Sequence, residues 1–179
     1  MPVPADRQAE QGYKARGTEM VEKILDLAIS YNGKDVKRIN HLLKVHSFAR
    51  HIAMMENCGV QLQTIIEIAA LLHDIGIHES ERKYNSSAYN WQEIEGPIVA
   101  KELFKNLDLD SSIQERVLFL IGHHHSYNAI DGLDFQILVE ADFLVNIFEH
   151  GPNEDPLNSI KENIFKTKSG TRLLEQMYM

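Results

Sequence analysis

The chain has 179 residues, 44% of them hydrophobic and 25% charged, with a formal net charge of −8 and one cysteine, Cys58. That length suits one domain with a real core rather than two, and the acidic balance argues against stable nucleic-acid binding, which rests on clustered Lys and Arg. A lone cysteine excludes an intrachain disulfide and a cysteine-based zinc site, and no apolar run approaches about 18 residues, so the expected setting is cytoplasmic with no membrane partner.

Helical periodicity runs through nearly the whole chain. Residues 1–17, with Pro2, Pro4, Gly12 and Gly17, read as a loose leader, and 18–179 as a single domain. Thr18 opens a first helix that ends near Asn32-Gly33. A long helix is expected from Asp35 to Asn57, closed by Gly59, and a third from Leu62 to Ile75. The polar stretch 77–92 reads as a loop or short turns over a site. Helices return at roughly 93–106 and 111–124, then at 134–149 after a loop at 126–133. Gly151-Pro152 breaks the pattern, and one or two short helices finish the chain. With no strand-like alternation and no repeats, the fold class is all-α, a compact single-domain helical bundle.

The most informative residues are His73-Asp74, in Ala69-Ala70-Leu71-Leu72-His73-Asp74-Ile75-Gly76. An imidazole and a carboxylate at the end of an apolar helix are costly unless paired or metal-bound. Further ligands must then come from other helices. The second helix holds His41, His46 and His51. At about 100° per residue, Val45 lies roughly 40° and Ile52 roughly 20° from His41, with Phe48, Ala49 and Met55 on the same side. His41 therefore faces the core, whereas His46 and His51 stand roughly 140° and 80° away, toward the edges. Asp142 sits in Val139-Glu140-Ala141-Asp142-Phe143-Leu144-Val145, and a carboxylate so flanked must be paired, protonated or metal-bound. Glu140, two residues away, points elsewhere and is expected to be exposed.

Arg38-x-x-His41-x-x-x-Val45-x-x-x-Ala49, Leu71-Leu72-His73-Asp74-Ile75-Gly76 and Ala141-Asp142 together resemble the HD-domain superfamily of metal-dependent phosphohydrolases, from about residue 36 to 147. The resemblance implies an all-α bundle in which His41, His73, Asp74 and Asp142 hold a divalent metal. Some members hold a second metal, using a His in a pattern resembling His-x-x-x-Gly-Ala. Glu95-Gly96-Pro97-Ile98-Val99-Ala100 occupies the corresponding place, which makes Glu95 a candidate second ligand. The family's Ile-x-x-His pattern matches Ile121-Gly122-His123-His124 and selects His124 from the run His123-His124-His125.

Two histidines and two carboxylates suit iron, manganese, nickel, cobalt or zinc better than calcium, as one ion or two. Such an ion supports hydrolysis of a phosphate ester, here of a nucleotide or another small phosphorylated metabolite. Asp74 is placed by resemblance to orient water, and His78 or a histidine of the 123–125 run to give the leaving oxygen a proton. Lys83 and Arg38 are candidate phosphate holders, with His123 and His125 as weaker substrate contacts. An aromatic of the 77–92 stretch, Tyr89 or Trp91, could stack on a base, although Trp91 reads better as an anchor to the bundle. The alternatives are oxygen chemistry at two irons and a non-catalytic metal-bearing binding domain. Oligomeric state is open.

Overall fold

The computed structural model describes residues 5–151 and 157–179 (side chains from Lys14 onward), and every regular element among them is helical. In chain order these are α1 (Ala5–Asn32), α2 (Val36–Met55), α3 (Val60–Leu72), α4 (Ile77–Tyr84), α5 (Tyr89–Phe104), α6 (Ser111–Ile121), α7 (Leu133–His150), α8 (Leu157–Asn163) and α9 (Lys168–Tyr178), with a 3₁₀ turn at Tyr127–Ala129.

The centre of the bundle is α3, in which every residue from Thr64 to Leu72 is buried. A helix apolar on all sides must be enclosed, and α1, α2, α6 and α7 enclose it. The Asp35 side chain accepts from the Arg38 backbone N–H at 3.2 Å and so starts α2, which buries His41, Leu42, Val45, Ala49, Ile52 and Ala53. Met55, at the helix end, is exposed.

Two expectations about elements are corrected. The leader reading of 1–17 gives way from Ala5 onward, because α1 runs unbroken through Gly12 and Gly17; Pro2 and Pro4 lie outside the described residues. Gly17 is a packing residue rather than a breaker: a Cβ there would come within 2.7 Å of Thr64 Oγ1, so its bareness lets α1 approach α3. Thr18 does not cap a helix but donates back to the Lys14 carbonyl at 3.0 Å, inside α1. The loop reading of 77–92 is corrected too. Residues 77–84 form α4, which ends on Asn85 in the left-handed region (φ 50°), and α5 already begins at Tyr89. Face-to-face stacking of Tyr84 on Trp91 (centroids 3.9 Å apart) ties these two helices together.

Glu140 is also corrected, from exposed to fully buried. Its carboxylate accepts from the backbone N–H groups of Lys166 (2.6 Å) and Thr167 (2.8 Å), the Thr167 hydroxyl (2.5 Å) and Gln136 Nε2 (2.8 Å). Residues 165–167 thus form a docking turn that fixes the start of α9 on α7.

Candidate metal centre

Three helices deliver the principal side chains. His41 comes from the buried face of α2, His73 and Asp74 from the end of α3, and Asp142 from the middle of α7. Their donor atoms converge. His41 Nε2 lies 3.2 Å from His73 Nε2 and 3.2 Å from Asp142 Oδ1, which is 3.5 Å from His73 Nε2. Asp74 turns Oδ2 toward these rings, at 3.7 Å from His41 and 3.6 Å from His73. Its other oxygen, Oδ1, lies 3.5 Å from His124 Nε2.

The ring tautomers follow from acceptors that cannot donate. His41 Nδ1 donates to Glu149 Oε2 (3.0 Å), His73 Nδ1 to the Ala70 carbonyl (3.0 Å) and His124 Nδ1 to the Ile121 carbonyl (2.8 Å). In the neutral rings each Nε2 therefore carries a lone pair into the cluster. Lone pairs facing one another beside two carboxylates call for a cation. Burial alone would push His73 down, yet the Asp74 charge and the contact with Asp142 outweigh it and lift it to about 9, so without a metal Nε2 of this ring takes up a proton, which a bound cation would replace. Burial would likewise raise both carboxylates, but the neighbouring histidines hold Asp74 and Asp142 well below the usual range.

Buried polar atoms without a hydrogen-bond partner mark the same place: Asp142 Oδ1, His124 Nε2 and His125 Nδ1. The donors form two groups, His41–His73–Asp142 and Asp74–His124–His125, within each of which the ligand atoms lie within 4.8 Å of one another. This nitrogen and carboxylate set fits a divalent metal. His41, Asp74, Asp142 and His125 line a cavity of about 830 Å³, whose walls include Tyr89, Gln92, Tyr127 and Phe143.

The sequence model of the HD domain matches residues 38–160. The chain belongs to the HD-domain family. A solved structure with a similar fold is that of a predicted HD superfamily hydrolase from an uncultured Thermotogales bacterium, 24% identical, with a TM-score of 0.64 over 88% of this chain and 84% of that one. No curated protein matches the sequence. HD domains bind divalent metals, and the cluster of this HD domain presents the donors for one.

Other candidates lie elsewhere. Glu95 is buried, but Lys83 Nζ (2.5 Å) and Tyr84 Oη (2.8 Å) engage its carboxylate, and it joins neither donor group. Lys83, expected as a phosphate holder or catalytic residue, is paired with Glu95 and does not line the cavity. His78 sits behind Arg38, whose Nη1 donates to His78 Nδ1 at 3.2 Å, and is not in the cavity wall. Arg38 does line it, with its guanidinium paired to Asp35 (3.1 Å) and Glu81 (2.7 Å).

Of the three adjacent histidines, His124 and His125 face the cluster. His123 stacks on Phe119 and its Nδ1 donates to the Phe119 carbonyl at 2.8 Å, away from it. His125 stacks on Tyr89, and burial with His124 alongside pushes it down to about 3, so it is neutral. His46 is tied at the edge of α2 to Glu67 (2.9 Å), and His51 is exposed. One residue that touches the cluster escapes the sequence reading: Glu149, seven positions beyond Asp142.

Proposed function

We propose that this HD domain is a metal-dependent phosphohydrolase that acts on a small phosphate ester, with a nucleotide as the foremost candidate. The observation that carries the reading is the convergence of three Nε2 lone pairs and two carboxylates beneath a cavity wide enough for a small-molecule ester. A divalent transition metal, when bound, lowers the pKa of water and neutralises charge on phosphoryl oxygens. Asp74, set between the two donor groups, orients the attacking water. Glu149 and the carbonyls of Ala70 and Ile121 hold the three rings in the tautomer that leaves Nε2 free. Tyr89, Tyr127 and Phe143 offer flat apolar surface to a planar substrate body, and Lys37 adds positive charge to the cavity wall. The description of the Thermotogales protein as a hydrolase supports this reading.

A second reading, oxygen chemistry at two irons, draws on Asp74 facing both donor groups. One experiment separates them: elemental analysis of protein purified without chelator, beside a screen of phosphate esters with manganese, nickel, cobalt and magnesium. Metal-dependent cleavage establishes the hydrolase. Two irons per chain without hydrolysis moves the reading to oxygen chemistry, and neither metal nor turnover refutes both.

A further inference from the structure

We propose that the cavity takes esters bearing a single phosphoryl group in preference to di- and triphosphates, and that Lys37 is the cation that meets that group. The inference rests on the phosphohydrolase reading above and narrows its substrate class. Leaving the histidines aside, the cavity wall carries four carboxylates, Asp35, Asp74, Asp142 and Glu149, and two cations, Lys37 and Arg38.

Most of these charges are already answered. Asp35 meets Arg38 Nη1 at 3.1 Å, and the other arm of that guanidinium reaches Glu81 at 2.7 Å. Glu149 is held by Lys44 Nζ at 2.5 Å, from outside the wall. Asp74 and Asp142 belong to the histidine cluster, where one divalent ion balances the two of them. Lys37 remains. Its side chain is exposed, and among the described residues no carboxylate pairs with it. It stands four positions before His41, one turn along the same side of α2.

A phosphate group carries about −1.5 to −2 at neutral pH, which one ammonium and the metal can offset. Each further phosphoryl group adds negative charge that no cation of the wall is left to meet. Other polar side chains there, Ser86, Ser87 and Asn146 among them, are neutral. Size does not make the distinction, because about 830 Å³ is ample for a small-molecule site. Charge does.

The test compares nucleoside 5′-mono-, di- and triphosphates of the four common bases on the full chain loaded with manganese, with metal in excess of nucleotide. Within each base that is accepted, the monophosphate is expected to show a kcat/KM about tenfold or more above the other two. Lys37→Ala is expected to raise KM for the monophosphate about tenfold with kcat within about threefold, and Lys37→Arg to restore it. The KM of the wild type should also climb more steeply with salt than that of Lys37→Ala. A triphosphate used as well as the monophosphate, or a KM indifferent to Lys37→Ala, overturns the inference and leaves the phosphohydrolase reading standing. If none is hydrolysed, the nucleotide phosphohydrolase reading falls, and calorimetric binding of the same compounds still decides the preference. Tighter binding of the monophosphate then upholds it, and equal, reversed or absent binding overturns it.

Discussion

Glu149 reaches His41 from the far end of α7: its Oε2 accepts from His41 Nδ1 at 3.0 Å while its Oε1 meets Lys44 Nζ at 2.5 Å. The same helix that carries Asp142 thus also orients a ring on α2. Glu149→Gln keeps an acceptor but removes the charge that raises ring basicity, so metal affinity is expected to fall about tenfold. Chelator competition measures it, with the melting temperature of the metal-free protein as the control. Unchanged affinity would reduce Glu149 to a partner of Lys44.

The helical-face assignment of α2 has its own check. His41→Ala is expected to abolish stoichiometric metal binding, while His46→Ala and His51→Ala leave it nearly intact, as read by elemental analysis. Equal metal loss in all three variants would refute the placement of His41.

Glu67 links pH to stability away from the site. Burial alone would raise its carboxyl, but hydrogen bonds from His46 and Gln63 and the charge of Arg50 bring it below its ordinary value. A depressed folded-state value adds stability above the unfolded carboxylate range, about pH 4.3, and that stability is lost as pH falls through the folded value. Glu67→Gln is therefore expected to cost about 1 kcal/mol at pH 7. In denaturant titrations the difference from wild type should shrink toward zero below about pH 4; a difference that persists there would refute the linkage.

Gly76 marks a backbone crossing. A Cβ at this position would meet Gly96 N at 2.5 Å, the Gln92 carbonyl oxygen at 2.6 Å and Gly96 Cα at 2.8 Å, all backbone atoms with little freedom to yield. Gly76→Ala is expected to destabilise by about 3 kcal/mol through overpacking. A denaturation midpoint near wild type would show that α5 can shift outward at no cost.

Much of this was legible in the sequence. Apolar spacing placed the core helices, and the angular arithmetic turned His41 inward because α2 has one clear buried face. What failed was whatever depended on partners distant along the chain. Glu140 looks exposed from its own helix, yet its hydrogen bonds come from Lys166 and Thr167. The stretch 77–84 is too polar to show a buried face, but Arg82 pairs with Glu79 one turn earlier, and a Tyr84–Trp91 stack holds the helix down. Glu95 stands one residue before Gly96 rather than at the four-residue spacing of the His-x-x-x-Gly pattern, and the Lys83 that neutralises it comes from α4.

The three imidazoles are not oriented over the same distance along the chain. His73 and His124 lean on carbonyls three residues back, in the last turns of α3 and α6, where helix ends leave acceptors unused. Those two rings acquire their tautomer as soon as their own helices form. His41 has no such local support, and its acceptor is 108 residues away. Its ring is set only when α7 seats against α2, an event that also brings in Asp142. Tight metal capture is thereby coupled to the seating of α7 on α2, because a chain with α7 detached would lack both the support of His41 and the carboxylate of Asp142.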